Sequence, residues 1–116
     1  MNKRAKGSEG EQTALLYLEK KGYVLLEKNF RAQRCEVDLV MQDGETTVFV
    51  EVKARSSRAY GLGREAVTRK KQLNIITAAT AYAADHGLME ARLRFDVIEV
   101  ALPSLHVTHI ENAFQV

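Results

Sequence analysis

Two kinds of hydrophobic periodicity divide the chain into its predicted elements. Apolar residues recur with helical spacing in two long segments, and they alternate with polar residues in several shorter ones. Glycine residues, an Asp-Gly pair and a single proline mark boundaries between them. In chain order, the elements are a helix, three strands, a helix and two strands, over residues 8–21, 23–31, 36–41, 46–53, 64–86, 93–100 and 105–110. Because two helices must cover a sheet that begins as an antiparallel meander, the pattern predicts an α/β fold with a mixed sheet.

The start of the chain is predicted to be a basic arm followed by the first helix. Ser8 and Glu11 have the spacing of a capping box, in which the helix begins at the serine. The residues before Ser8 are polar and partly basic, and no apolar segment of the signal-peptide type follows them. We therefore expect residues 1–7 to form a flexible basic arm and residues 8–116 to form a single domain.

The strongest local signal is a hairpin turn at Asp43–Gly44, because Asp-Gly favours tight two-residue loops. A loop of that length pairs Gln42 with Glu45 and places Asp38 opposite Phe49. Residues that lie opposite each other, or two apart on one strand, project from the same side of a sheet. The polar residues predicted to share one side are Glu36, Asp38, Glu51 and Lys53. The other side of the return strand carries alternate valines, which indicates a core that supports the polar set.

The polar side of this hairpin has the residue types of a metal site. The predicted register makes Asp38 and Glu51 diagonal neighbours, with Cβ atoms roughly 7 Å apart. That separation suits one divalent ion held between two carboxylates. Lys53 would lie beside the ion, where its amine could position a water molecule or a scissile phosphate. The alternative is a strand face that is simply solvated, and the spacing alone leaves both interpretations open.

Glu11 lies on the apolar stripe of the first helix, where a carboxylate needs a partner. One candidate partner is Ser8, through the capping box. The other is a metal ion at the polar side of the hairpin, if the first helix packs over that side of the sheet. The sequence supports the two partners equally.

Composition limits the class of protein. The chain has 116 residues, of which 46% are hydrophobic and 28% charged, a balance typical of one globular domain rather than of disorder. Its single cysteine excludes an internal disulfide and a site with several thiolates, and a lone thiol fits a reducing compartment. No run approaches the roughly 18 apolar residues that a membrane span requires.

Positive charge is concentrated in one segment. The net charge is only +2, but residues 51–71 hold seven basic and two acidic side chains, a local net charge of +5. Such a segment suits phosphate binding. The residues predicted to contact nucleic acid are Arg55, Ser56, Arg58, Arg64, Arg69, Lys70 and Lys71. The alternative is an exposed loop followed by ordinary solvated helix charges.

Other polar residues favour structural roles. Asp96 follows Arg94 closely and is predicted to form a salt bridge rather than to ligate a metal. His106 and His109 are three residues apart, so a strand would direct them to opposite faces and a metal site shared by both is not expected.

Short motifs along nearly the whole chain resemble the YraN-like family of bacterial proteins. They are Gly10-Glu11, Gly22-Tyr23, Lys28-Asn29-Phe30-Arg31, Glu36-Val37-Asp38-Leu39-Val40, Val48-Phe49-Val50-Glu51-Val52-Lys53-Ala54-Arg55, Arg94-Phe95-Asp96-Val97 and Asn112-Ala113-Phe114. The family is similar to archaeal Holliday-junction resolvases. It is assigned the restriction-endonuclease-like fold, whose sites follow a PD-(D/E)xK pattern.

The resemblance implies a nuclease site that depends on Mg²⁺ or Mn²⁺, with Glu11, Asp38, Glu51 and Lys53 as its catalytic residues. Asp38 and Glu51 would bind the ion, and the carbonyl oxygen of Val52 would be a third ligand. The implied substrate is DNA, and branched DNA by analogy with the resolvases alone.

Three functions remain open on the sequence. The first is a metal-dependent endonuclease that acts on DNA. The second is a non-catalytic nucleic-acid-binding module on the same fold, and the third is an interaction protein whose polar face is solvated. We further expect a cytoplasmic protein without membrane association, and a homodimer would suit a small module that cuts two strands.

Overall fold

A five-stranded sheet with a helix on each side makes up the described part of the chain. The computed structural model describes the backbone of residues 3–56 and 67–116, and the side chains of residues 9–56 and 67–116. In chain order the elements are α1 (Lys3–Lys20), β1 (Val24–Ala32), β2 (Cys35–Asp43), β3 (Thr46–Ser56), α2 (Arg69–Asp85), β4 (Arg92–Leu102) and β5 (Val107–Phe114). The predicted α/β class and the predicted order of elements are confirmed.

The sheet is mixed because it contains one parallel pair. Its strands lie side by side in chain order, from β1 at one edge to β5 at the other. β1, β2 and β3 form an antiparallel meander, β3 and β4 run parallel, and β5 returns antiparallel to β4. The parallel pair extends from Thr46 opposite Arg92 to Ser56 opposite Leu102. α2 lies in the crossover connection that a parallel pair requires.

α1 and α2 cover opposite faces of the sheet. The buried residues of the α1 layer are Ala14, Leu15, Leu18, Tyr23, Leu39, Met41, Val48, Val50, Ile98 and Val100. The buried residues of the α2 layer are Val37, Val40, Phe49, Val67, Ile75, Ile76, Ala78, Ala79, Tyr82, Phe95, Val97 and Phe114. β3 therefore directs Val48 and Val50 toward α1 and Phe49 toward α2.

The two buried layers show which side of the β2–β3 hairpin α1 covers. α1 packs on the valine side of β3 and not on its polar side. Glu51 projects from the other side, as Phe49 does, because residues two apart on a strand share a face.

Both helices begin at positions other than those predicted. α1 begins at Lys3, so the Ser8–Glu11 spacing lies inside the helix instead of at its start. α2 begins at Arg69, after an N-cap at Thr68 whose Oγ1 accepts a hydrogen bond from the Lys71 N–H. The flexibility of the first residues stays a prediction. Neither helix, over the described residues, has the length and the hydrophobicity to cross a lipid bilayer.

The hairpin between β2 and β3 has a different loop from the predicted one. Asp43 pairs with Thr46, so Gly44 and Glu45 form the loop. Gly44 has a φ of +60°, a conformation that glycine adopts without steric cost. The Asp43 carboxylate accepts a hydrogen bond from Arg94 over 3.1 Å, which holds this residue within the strand. The register of β2 against β3 is consequently shifted by two residues from the prediction.

Candidate metal and nucleic-acid site

Asp38 and Glu51 lie side by side where the regular pairing of β2 and β3 ends. The last pair is Leu39 with Val50, and Asp38 and Glu51 are the next residues along each strand. Their side chains hydrogen bond to each other, and the Val52 N–H donates to Asp38 Oδ2 over 2.8 Å. The predicted register made the two acids diagonal neighbours. The actual register makes them direct neighbours, which is closer than expected.

The surroundings of the acid pair, Asp38 and Glu51, disfavour the charged form of Asp38. Burial, reinforced by the negative charge of Glu51, raises the pKa of Asp38 to about 8, although the hydrogen bond from Val52 opposes the shift. Glu51 itself is only 4% exposed. The raised pKa indicates a site that disfavours the charged form of Asp38 when no cation is bound. The oxygen atoms of the pair are hard ligands of the kind that Mg²⁺ and Mn²⁺ prefer, so the donor set fits such an ion.

Two lysine amines contact the same oxygen of Glu51. Lys53 Nζ lies 3.2 Å from Glu51 Oε2, so the structure brings the predicted lysine to the acid pair. Lys71 Nζ, from the first turn of α2, lies 3.6 Å from that oxygen. The sequence analysis assigned Lys71 only to a nucleic-acid-binding segment. Its contact with Glu51 depends on the packing of α2 over β3, which helical periodicity does not reveal.

Glu11 lies on α1, which packs closely on the face of β3 opposite to that of Glu51. A Cβ atom built on Gly10 would lie 2.6 Å from the Cβ of Ala54, so only glycine allows this approach. Glu11 is half-buried. Burial raises the pKa of Glu11, Asn29 of β1 opposes the shift, and the negative charges of Glu36 and Glu51 add to it. The Glu11 carboxylate therefore lies within electrostatic range of the acid pair.

The alternation of side chains reverses on β2 at Asp38. Leu39 packs in the α1 layer and Val37 in the α2 layer, although residues two apart normally share a face. On β1, Asn29 lies opposite this point and has a φ of +52°. The left-handed conformation of Asn29 was not predicted. The available signal was an asparagine inside a strand, since asparagine tolerates the left-handed conformation better than most residues.

The same reversal separates Glu36 from the acid pair. Because Val37 packs in the α2 layer, Glu36 projects on the α1 side of the sheet. There its Oε2 accepts a hydrogen bond from Arg31 Nε over 2.7 Å. The prediction that Glu36 shares one side with Lys53 is wrong, because strict alternation does not hold across Asp38.

The predicted nucleic-acid contacts after Lys53 begin at the end of β3. Arg55 and Ser56 are the last residues of that strand, and Ser56 is exposed. The Nε atom of Arg55 is buried and has no hydrogen-bond partner among the described residues. Arg58 and Arg64 lie outside the described residues.

The three basic residues in the first turn of α2 make different contacts. Arg69 Nη1 donates to Gln72 Oε1 and to the carbonyl oxygen of Gln115, each over 3.0 Å, so Arg69 holds the C-terminal segment. Lys70 is exposed. Lys71 reaches the acid pair through Glu51. Of these three basic residues, Lys70 alone matches the expectation of a simply solvated charge.

Comparison with known proteins identifies the family of the chain. The sequence profile of an uncharacterised protein family, UPF0102, matches residues 10–100. The chain belongs to the UPF0102 family. A UPF0102 protein of Trichlorobacter lovleyi is 48% identical over 115 residues, which cover 96% of this chain and 91% of the relative. Another, from Clostridium acetobutylicum, is 45% identical over 120 residues, which cover 100% and 98% of the two chains. The YraN-like resemblance is thereby confirmed.

A second polar cluster in this UPF0102 protein lies on β4 and β5. Ligand atoms of Asp96, His109 and Glu111 all lie within 4.8 Å of one another, a grouping that could in principle hold a metal ion. Arg94 already supplies positive charge there, since its Nε and Nη2 donate to Asp96 over 2.9 and 3.0 Å. His109 Nε2 and the N–H of Asn112 also contact the Asp96 carboxylate, over 2.7 and 3.0 Å. Both Asp96 oxygens are thus occupied, and the predicted salt bridge of Asp96 is confirmed.

Proposed function

We propose that this UPF0102 protein is a metal-dependent endonuclease that acts on DNA. The observation that carries the proposal is the adjacent carboxyl pair of Asp38 and Glu51, of which Glu51 is only 4% exposed, with the Lys53 amine 3.2 Å from Glu51. Two neighbouring acids beside the Lys53 amine provide oxygen ligands for a divalent cation and a hydrogen-bond donor for a phosphate. The resemblance of the motifs to nucleases of the PD-(D/E)xK type supports the same assignment.

Each residue of the proposed site has a distinct task. Asp38 and Glu51 would hold Mg²⁺ or Mn²⁺, and the Val52 carbonyl oxygen would be a third ligand. Glu11 would contact the ion either directly or through a water molecule. When bound, such an ion lowers the pKa of water and offsets negative charge on a phosphate. The Lys53 amine would donate hydrogen bonds to the phosphate oxygens and orient the attacking water.

The proposed substrate is DNA in the cytoplasm, branched DNA by analogy with the resolvases. Arg55, Ser56, Arg58, Arg64 and the first turn of α2 would contact the phosphate backbone next to the site. A homodimer would present two such sites to two strands. Sedimentation with and without a branched duplex measures the oligomeric state directly.

The decisive experiment is a cleavage assay with purified full-length protein and Mg²⁺ or Mn²⁺. Branched, single-stranded and duplex DNA are the substrates. We expect Asp38→Asn and Lys53→Ala to abolish metal-dependent cleavage. Asp38→Asn should also weaken Mn²⁺ binding, whereas Lys53→Ala should still bind Mn²⁺, because an ammonium group donates hydrogen bonds and is not a ligand.

The exposed residues Asp85 and Lys20 provide matched controls for this assay. Asp85→Asn and Lys20→Ala make the same chemical changes on exposed helix positions and should leave cleavage intact. A contaminating nuclease would be indifferent to all four substitutions. Equal cleavage by the wild type and the Asp38 and Lys53 variants, or no cleavage of any substrate, would contradict the proposal.

A non-catalytic nucleic-acid-binding module is the second candidate, and the first turn of α2 favours it. Arg69, Lys70 and Lys71 lie at the helix N-terminus, where the macrodipole disfavours cations and favours bound anions. This candidate predicts DNA binding that falls steeply with salt and is not accompanied by cleavage. The cleavage assay therefore separates the two candidates.

A further inference from the structure

Two ammonium groups share one carboxylate oxygen at the candidate site. Lys53 Nζ lies 3.2 Å from Glu51 Oε2, and Lys71 Nζ lies 3.6 Å from the same atom. The side chain of Glu51 is only 4% exposed, so little water screens these charges. The two amines also repel each other, because they carry the same charge. A divalent ion that uses this oxygen as a ligand therefore competes with both amines.

The two amines differ in how easily they can leave Glu51. The Lys53 side chain is 23% exposed and belongs to β3, the strand that also carries Glu51. The Lys71 side chain is 42% exposed, makes the longer contact and belongs to α2. Its backbone is held by the N–H that donates to Thr68 Oγ1 over 3.2 Å, but its aliphatic stem is flexible. The Lys71 amine can thus move into solvent without any change in the backbone.

Lys71 needs an anion beside it because of its place in α2. The helix macrodipole opposes a positive charge in the first turn, and the first turn of α2 contains no acidic residue. Arg69 and Lys70, its neighbours in that turn, are also basic. An ion that occupies Glu51 would remove the carboxylate that Lys71 contacts there. A phosphate group outside this turn would then be the favoured partner of the released amine.

We infer that Lys71 exchanges partners, from Glu51 in the metal-free protein to a DNA phosphate when a divalent ion occupies the acid pair. By linkage, the ion and the DNA would then each strengthen the binding of the other by the same factor. The alternative is a fixed ion pair between Lys71 and Glu51 that serves the fold alone. The inference rests on the proposed function, because it couples the metal and the DNA of that same site.

Glu51→Gln reproduces the release of Lys71 in the absence of metal, because the amide keeps the size of the side chain and removes its charge. In the presence of a chelator, Lys71→Ala should lower the affinity of the full chain for a short DNA duplex by no more than about twofold. In the Glu51→Gln protein, the same substitution should lower it about fivefold, because the amine is free to contact the DNA. Fluorescence anisotropy measures both losses. Equal losses in the two backgrounds would overturn the inference.

Lys70 and Glu19 provide matched controls for this comparison. Lys70→Ala removes an exposed lysine one residue earlier and should cost the same DNA affinity in both backgrounds. Glu19→Gln removes one negative charge from an exposed position of α1, on the opposite face of the sheet. The loss caused by Lys71→Ala should stay small in the Glu19→Gln protein. A larger loss there as well would show a general effect of net charge and would refute the exchange of partners.

An NMR titration with Mg²⁺ tests the exchange without DNA and without a variant. The side-chain amine resonances of Lys71 should move toward those of the exposed Lys70 as Mg²⁺ is added, whereas those of Lys70 should stay in place. Lys71 resonances that do not respond when the site is saturated with Mg²⁺ would overturn the inference.

The outcomes separate this inference from the proposed function. A wild type that binds DNA and Mg²⁺ without cleavage would refute the nuclease and leave the exchange of partners standing. A wild type that binds neither Mg²⁺ nor Mn²⁺ would refute the metal site and, with it, an exchange driven by the ion. The losses of DNA affinity in the presence of a chelator would still decide whether Glu51 and DNA compete for Lys71.

Discussion

At the scale of single residues, two aspartates have opposite surroundings. Asp38 is half-buried beside Glu51, which disfavours its charged form, although it accepts one backbone hydrogen bond. Asp96 is fully buried, which by itself raises the pKa, but hydrogen bonds from His109 and Arg94 hold the pKa of Asp96 below its ordinary value. A bound cation would therefore stabilise the charged form of Asp38, whereas the charge of Asp96 is already balanced by Arg94.

The metal-free protein should lose stability as the pH rises from about 5 to about 8. The pKa of Asp38 is about 8 in the folded state against an ordinary 3.8, so the folded state binds more protons over this range. The free energy of unfolding should fall by up to about 1.4 kcal/mol for each pH unit. Urea denaturation at several pH values in the presence of a chelator measures this slope.

Asp38→Asn is the control for that pH dependence. The amide cannot ionise, so the variant should show a flatter pH profile and should be more stable than the wild type at pH 8. Mn²⁺ should raise the stability of the wild type at pH 8 and have less effect on the variant. Parallel pH profiles for the two proteins would contradict the assignment.

At the scale of elements, the candidate site depends on how closely both helices approach β3. α1 lies against Ala54 through Gly10, and the first turn of α2 brings Lys71 to Glu51. Neither approach follows from a helix on its own. The approach of α1 depends on the small size of Gly10. The contact of Lys71 depends on how the first turn of α2 is rotated relative to the sheet.

Gly10→Ala should destabilise the protein by about 1–3 kcal/mol, even though alanine is the better helix former. The added Cβ would lie 2.6 Å from that of Ala54, so α1 must move away from β3. Urea denaturation measures the loss. Adding Ala54→Gly removes the opposing atom and should restore most of the stability. A Gly10→Ala protein as stable as the wild type would show that α1 has room to spare.

Lys71→Ala should strengthen Mn²⁺ binding about fivefold, because it removes a competing positive charge 3.6 Å from Glu51. The estimate uses about 1 kcal/mol for a unit charge at this distance in a largely aqueous setting. Lys70→Ala removes the same charge one residue earlier and should leave Mn²⁺ affinity unchanged. Calorimetry on the two variants makes the comparison, and equal effects would indicate that only net charge matters.

At the scale of the whole molecule, one sheet supports two polar clusters with different tasks. The acid pair lies at the end of the β2–β3 pairing, where the strands are free to separate. The Asp96 cluster joins β4 to β5 and, through Arg94, to Asp43 at the hairpin and to Tyr23 after α1. The first cluster is suited to binding, whereas the second connects the parts of the fold.

Asp96→Asn should destabilise the protein by about 3 kcal/mol, because the fully buried Asp96 carboxylate accepts charge-assisted hydrogen bonds from Arg94 and a hydrogen bond from His109. The same Asp-to-Asn change stabilises the metal-free protein at Asp38, so the two substitutions should have opposite signs at pH 8. Asp85→Asn, on an exposed helix position, should stay within about 0.5 kcal/mol of the wild type. Urea denaturation of the three variants tests this, and a stable Asp96→Asn protein would refute the structural role.

Much of the fold could be predicted because the periodicities are local. The alternation of Val48, Phe49 and Val50 identifies a strand buried on both faces, and the order of elements leaves few ways to cover the sheet. Element ends were less predictable. The Ser8–Glu11 spacing occurs inside a helix as well as at its start, and the second helix begins after the N-cap Thr68 although its predicted range began at residue 64.

The sequence by itself determined which residues make up the candidate site: two acids and a lysine on adjacent strands, an acid on the first helix, and a basic segment after them. The tertiary structure alone decided their distances and their additional partners. The loop at Gly44 set the register that brings Asp38 beside Glu51, and the left-handed Asn29 reversed an alternation that period-two reasoning assumes. Those outcomes depend on backbone conformations and on helix packing, which arise from contacts between residues distant along the chain and are not encoded in any local pattern.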